Sequence, residues 1–177
     1  MKQFILVISF FSVLFSQIEF SIDQNRSSIT YYGKHIAHNW SASSNKLEGS
    51  IHFNPENLES FETSINVPLL SFDSNNSNRD SNMLDVVEDY LFPYVSFDSK
   101  SIEIRGSKYF VKGIIFFHGI SQEKEVEAEI KLIDNRIIID ANFSIQLSDF
   151  KIKRPSLLTI KIDNKIDLIL HIEAIKK

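Results

Sequence analysis

From residue 17 onward, apolar and polar positions alternate with a period of two rather than 3.6. In Glu125-Val126-Glu127-Ala128-Glu129-Ile130-Lys131-Leu132 the apolar side chains share one face and the charges share the other. A helix would scatter those charges around its circumference, whereas a strand puts them all in water. The next segment repeats the pattern, with Ile137, Ile139, Ala141, Phe143, Ile145 and Leu147 opposed to Asp140, Asn142, Ser144 and Gln146. Asp134-Asn135 between the two segments reads as a tight hairpin turn.

The same reading predicts eight strands, near 28–40, 46–54, 60–72, 94–104, 108–118, 124–133, 136–148 and 161–175, with end errors of ~2–4 residues. A short extra strand is compatible with 18–23. Two segments break the alternation. Residues 78–91 predict a helix that stops before Pro93, and 154–159 predict a turn or short helical loop. Sequential strands with short connections form an antiparallel meander. Closing such a sheet into a barrel hides its edges, and eight strands enclose either packed side chains or one small ligand. A β-sandwich satisfies the same periodicity.

The amino terminus departs from this pattern. Lys2 precedes an almost unbroken apolar run from Phe4 to Phe15, followed by Ser16-Gln17. This predicts a secretory signal peptide over 1–16, too short to span a bilayer comfortably, and a single domain over 17–177 that is periplasmic or secreted. The whole chain has 177 residues and a formal charge of −4. It shows no basic stripe of the kind a nucleic-acid binder carries, and its net acidity argues against purely electrostatic docking on anionic membranes. Cysteine is absent, which excludes disulfides, thiol nucleophiles, iron–sulfur clusters and thiolate zinc sites. The 15 phenylalanines supply enough apolar bulk for a large core or an apolar cavity.

Catalytic chemistry is hard to find. No nucleophile elbow, phosphate-binding loop, dinucleotide fingerprint or zinc-protease motif is present. His35 and His38 form the only closely spaced histidine pair, and three residues apart on one strand they would point to opposite faces. We therefore assign no catalytic residue, no metal site and no cofactor. A metal-assisted enzyme using His35, His38 or His118 ranks last among the readings. Arg79 beside Asp80 suits either an ion pair at a helix start or contact with an anionic head group. Trp40 reads as a core aromatic closing one end of the sheet or as an aromatic at a ligand mouth.

Several segments together resemble the YceI-like family of exported bacterial proteins. They are Gly49-Ser50-Ile51-His52-Phe53-Asn54-Pro55, Asn78-Arg79-Asp80-Ser81-Asn82-Met83-Leu84, Phe92-Pro93-Tyr94-Val95-Ser96-Phe97, Gly113 through His118-Gly119-Ile120, and Ser148-Asp149-Phe150. The sequence departs from the family at Asn82, where histidine is frequent, and at Ile120-Ser121-Gln122-Glu123-Lys124, where Val-Thr-Lys-Pro usually follows the glycine. The resemblance implies a lipocalin-like eight-stranded antiparallel barrel. It also implies a polyisoprenoid lipid, of the polyprenyl phosphate or quinone type, held in an apolar lumen for transport or storage. Lumen candidates on the inward faces are Ile51, Phe53, Phe61, Ile65, Val67, Val126, Ala128, Ile130, Ile139, Ala141, Phe143, Ile145, Leu168 and Leu170. Head-group candidates are Arg79, His38 and Trp40. A membrane-associated delivery partner and a homodimer are compatible with this reading. The alternative is a structural or interaction module whose barrel is filled by its own side chains.

Overall fold

The computed structural model describes residues 18–58, 61–157 and 159–177. The expected signal peptide over 1–16 lies outside the described residues. The strands are β1 (Glu19–Ile22), β2 (Ser28–His35), β3 (His38–Ser44), β4 (Glu48–His52), β5 (Glu62–Pro68), β6 (Tyr94–Arg105), β7 (Lys108–Phe117), β8 (Ile120–Ile133), β9 (Arg136–Gln146), β10 (Ser156–Leu157), β11 (Ile160–Lys161) and β12 (Lys165–Lys176). One α-helix, α1 (Ser77–Val87), lies between β5 and β6.

The main sheet runs β1-β4-β5-β6-β7-β8-β9-β12, and β12 pairs back to β1 through Ile22↔Ala174 and Phe20↔Lys176. These eight strands form a closed antiparallel barrel. Alternation is the local cause. In β9, Ile137, Ile139 and Ala141 are buried and lie opposite Leu132, Ile130 and Ala128 of β8.

The expected strand over 28–40 is two strands. The chain turns at Ile36-Ala37, so β2 and β3 form a hairpin with His35 opposite His38. This corrects the expectation that the two histidines diverge. β2 continues the line of β1, and β3 leads into that of β4. The long hairpin from β1 to β4 therefore occupies two places in the ring, and the count of eight survives. The short strand expected at 18–23 is β1, and it makes the closing seam. β3 was missed because Ser41-Ala42-Ser43-Ser44 carries almost no hydrophobic signal, although Ala42 and Ser44 are buried.

The helix also ends sooner than expected. Asn76 caps its start by accepting from the Arg79 backbone N–H at 3.0 Å. It stops at Glu88, which takes a left-handed conformation at φ 50°. Within 154–159, expected as a turn or short helical loop, Ser156–Leu157 instead form β10, which pairs with β11 through Leu157 and Ile160.

The two ends of the barrel differ. At one end Phe53 packs edge-on against Phe61 and Tyr109, each with ring centres 6.0 Å apart. Ile51 and Ile137, each fully buried, complete an apolar plug there. The other end collects the β2–β3 turn, α1, the β7–β8 turn and the long segment 147–164. Among the described residues no helix is long and apolar enough to cross a membrane.

Candidate functional site

A cavity of about 290 Å³ occupies the barrel between the plug and the α1 end. Its walls are the inward faces of the barrel strands. All the expected lumen residues line it except Ile51 and Phe53. Those two also point inward, but they sit at the plugged end, where Phe20, Phe61 and Tyr109 fill the space. Alternation reports which face a residue is on, not how far along the barrel axis it lies. Residues not picked out from sequence join the lining, among them Tyr31, Phe72, Met83, Val86, Phe97, Ile115 and Phe117. Those on β7 share its inward register with Val111, so alternation along 108–118 could have found them. Met83 and Val86 are legible only once α1 is known to lie over the barrel.

The lining residues that reach the surface mark the mouth. Asn82 of α1 and Pro155 before β10 are exposed, while Arg79, Trp40 and Ile162 are half-buried. Trp40 lies across Gly33, its direct cross-strand partner. A Cβ on Gly33 would sit 2.3 Å from the indole, so glycine is what lets the ring lie flat there. His38 is exposed and does not line the cavity. It stacks beside Trp40 at 5.6 Å between ring centres, supporting the tryptophan from outside.

Arg79 has no carboxylate within ion-pair distance among the described residues. One guanidinium nitrogen reaches the Ser74 carbonyl at 3.4 Å. Asp80, its neighbour in sequence, instead accepts from the Ser74 backbone N–H at 3.2 Å. Tyr31 adds a second unspent group, because its hydroxyl is enclosed without a well-formed hydrogen bond. Burial pushes the phenol's pKa up and Asp80 adds to the rise, while the Trp40 indole N–H and Arg79 pull the other way. The mouth therefore gathers one unpaired cation and one unsatisfied hydroxyl above an otherwise apolar space.

Two histidines hold the covers of the mouth. His35 is buried, and its Nδ1 accepts from the Ala37 backbone N–H at 3.2 Å. Its Nε2 therefore carries the proton and donates to the Ile160 carbonyl at 3.1 Å, pinning β11 to the β2–β3 turn. His118 and Gly119 form the β7–β8 turn, both at positive φ, the signature of a two-residue hairpin. His118 Nδ1 faces the Phe150 carbonyl and Nε2 the Glu88 carboxylate, each at 2.9 Å. Both partners are acceptors, so a ring with two N–H groups satisfies both together. This one side chain ties the end of α1 to the segment after β9. Replacing it by Asn, which tolerates the left-handed backbone but is too short to bridge both partners, should cost roughly 1–2 kcal/mol in urea unfolding. Amide exchange in α1 should also accelerate. Unchanged exchange there would show that α1 is held by packing alone.

The outer wall behaves as expected from the Glu125, Glu127 and Glu129 stripe. Arg105 binds Glu125 at 2.8 Å and Glu103 at 2.8 Å, Lys108 pairs with Glu127, and Lys112 reaches Glu103 at 3.2 Å. Hydrogen bonding to Arg105 holds the Glu103 and Glu125 carboxyls below their usual range. Among the described residues no cluster of three or more His, Cys, Asp or Glu side chains is arranged to hold a metal ion.

Comparison with known proteins converges on one family. The profile of the YceI-like domain matches residues 20–174. Protein YceI of Escherichia coli is 24% identical over the whole of both chains. Among solved structures, BcnA of Burkholderia cenocepacia superposes with a TM-score of 0.79 at 17% identity, covering 86% of this chain and 98% of that one. A polyisoprenoid binding domain from Saccharophagus degradans, implicated in plant cell wall breakdown, superposes with a TM-score of 0.72 at 13% identity, covering 89% and 98%.

Proposed function

This chain belongs to the YceI-like family, and from that premise we propose that its barrel takes up the tail of a polyisoprenoid lipid and carries or stores it outside the cytoplasm. The observation that carries the reading is an apolar cavity inside a closed barrel, with an unpaired arginine at its mouth. The likeness to a polyisoprenoid binding domain supports the same class of cargo. Binding works by burial. Each methylene taken from water contributes about 0.8 kcal/mol, so even part of a prenyl tail outweighs the cost of ordering it.

The head group stays at the mouth. Arg79 presents a planar fork of N–H donors to an anion, and the Tyr31 hydroxyl supplies a further hydrogen bond. A polyprenyl phosphate satisfies both groups, whereas a quinone carbonyl leaves the guanidinium charge unmatched. The apolar run before residue 17 suggests export to the periplasm or beyond. No catalytic step is part of this reading.

The test is native mass spectrometry of the exported protein, followed by organic extraction and lipid analysis. A prenyl lipid near one per chain is expected. Arg79→Gln should weaken polyprenyl phosphate by roughly 10–100-fold and leave prenyl quinone binding almost unchanged. A bare protein that also refuses added polyprenyl phosphates and quinones would overturn the proposal in favour of a structural or interaction module.

A further inference from the structure

The cations of this protein fall into two populations. On the barrel wall most are matched, as in Lys100–Glu123, Arg105–Glu125, Lys112–Glu103 and Arg136–Glu173, with Lys124 and Lys176 as the exceptions among the described residues. At the mouth, along the β2–β3 hairpin and the segment that follows β9, they are not. Among the described residues Lys34, Lys151, Lys153, Arg154 and Lys161 have no carboxylate within ion-pair distance, and Arg154 instead donates to the Ile162 carbonyl at 3.1 Å. Backbone hydrogen bonds join the β2–β3 hairpin to the 159–163 stretch, and Lys151, Lys153 and Arg154 lie on the strand-free run that leads into it. The Asp163 N–H donates to the Lys34 carbonyl at 2.8 Å, and the Ile162 N–H to the Pro155 carbonyl at 3.1 Å. The His35 ring adds its bond to the Ile160 carbonyl. Asp149 and Asp163 are the acids on these segments, Glu88 approaches them through His118, and Asp80, Asp85 and Asp89 lie on or next to α1.

Apolar side chains stand out among these cations. Ile36, at the tip of the β2–β3 turn, is 80% exposed, and Ile160 of β11 is 46% exposed. Two isoleucines rimmed by unmatched lysines and an arginine are poorly suited to open water. They suit an anionic bilayer surface, where the apolar tips enter the head-group layer and the cations meet phosphates. The position is equally telling. Pro155 and Ile162 line the cavity, and the hairpin they flank turns Ile160 and Lys161 outward. One short segment thus has its inner side toward the lumen and its outer side toward this surface.

We infer that the β2–β3 turn, residues 151–156 and Ile160-Lys161 form a docking face for anionic lipid bilayers, bringing the mouth of the barrel against the membrane. A net charge of −4 hides this face because most of the acids lie on the wall and beside α1. The inference depends on surface residues and not on what occupies the lumen, so it can fail or stand independently of the cargo.

The test is flotation of the exported protein with vesicles of pure phosphatidylcholine and with vesicles of equal phosphatidylcholine and phosphatidylglycerol. Binding to the mixed vesicles alone is expected, weakening as salt is raised. The paired change K151N/K153Q should reduce it by roughly twenty-five-fold, taking about five-fold per lysine. Asn tolerates the left-handed backbone at 151 (φ 54°), and both side chains are exposed, so the melting temperature should hold. Ile36→Ser should weaken binding without changing its salt dependence. Three results would overturn the inference. One is no binding to the mixed vesicles at low salt. Another is binding that survives K151N/K153Q but is lost in Leu91→Ser, beside the end of α1. The third is retention on polyglutamate beads without vesicle binding, which would make this a protein-docking face.

Discussion

Replacing Ala128 or Ala141 by phenylalanine is expected to reduce prenyl-lipid binding by roughly 10²–10³-fold while the barrel stays folded. The two alanines are direct partners across β8 and β9, are buried, and line the cavity. Small side chains facing each other at mid-barrel are part of the reason the space exists. A phenyl ring there displaces about one five-carbon unit of the tail. At about 0.8 kcal/mol per methylene that is ~4 kcal/mol of lost burial, which sets the upper end of the range. Because the ring enters open space, its overpacking cost should fall near or below the usual ~1–3 kcal/mol. Titration with a prenyl lipid alongside a thermal melt separates the two effects. Unchanged affinity in both variants would mean that the cargo does not use this lumen.

The second large effect concerns stability. Phe53→Ala should destabilise the protein by ~3–5 kcal/mol in urea unfolding, with little change in slope. Phe53 is 1% exposed and touches Phe61 and Tyr109 edge-on, so truncation opens a hole with no neighbour free to close it. Phe143→Ala should cost much less, about 1–2 kcal/mol, because Phe143 already borders the cavity and is only half-buried. The same variant should weaken lipid binding, which Phe53→Ala should leave intact wherever it remains folded. Equal losses of stability at the two positions would mean that the interior is uniformly packed.

These two experiments rest on a distinction that alternation alone does not draw. Phe53 and Phe143 look alike in sequence, as inward aromatic residues on amphipathic strands. One belongs to the plug and the other to the cavity wall, and the difference is height along the barrel axis. That height is set by strand register and by the closing β1–β12 seam, which joins residues more than a hundred positions apart.

The sequence by itself determined the faces of the strands, the antiparallel order, the helix between β5 and β6, and the family. Each is encoded within a few neighbouring residues, by a period of two, a break in that period ahead of a proline or a run of motif positions. Periodicity left barrel and sandwich open and only the family resemblance pointed to the barrel, while the β1–β12 seam that closes it, the hairpin at Ile36-Ala37 and the cavity's limits were decided only by the tertiary structure. So were the freedom of Arg79 from Asp80, the double engagement of His118 with Glu88 and Phe150, and the gathering of unmatched cations at the mouth. The physical reason is the same throughout. Whether a charge is matched, a hydroxyl satisfied or a space filled depends on which distant segments the closed ring brings within a few ångströms of one another.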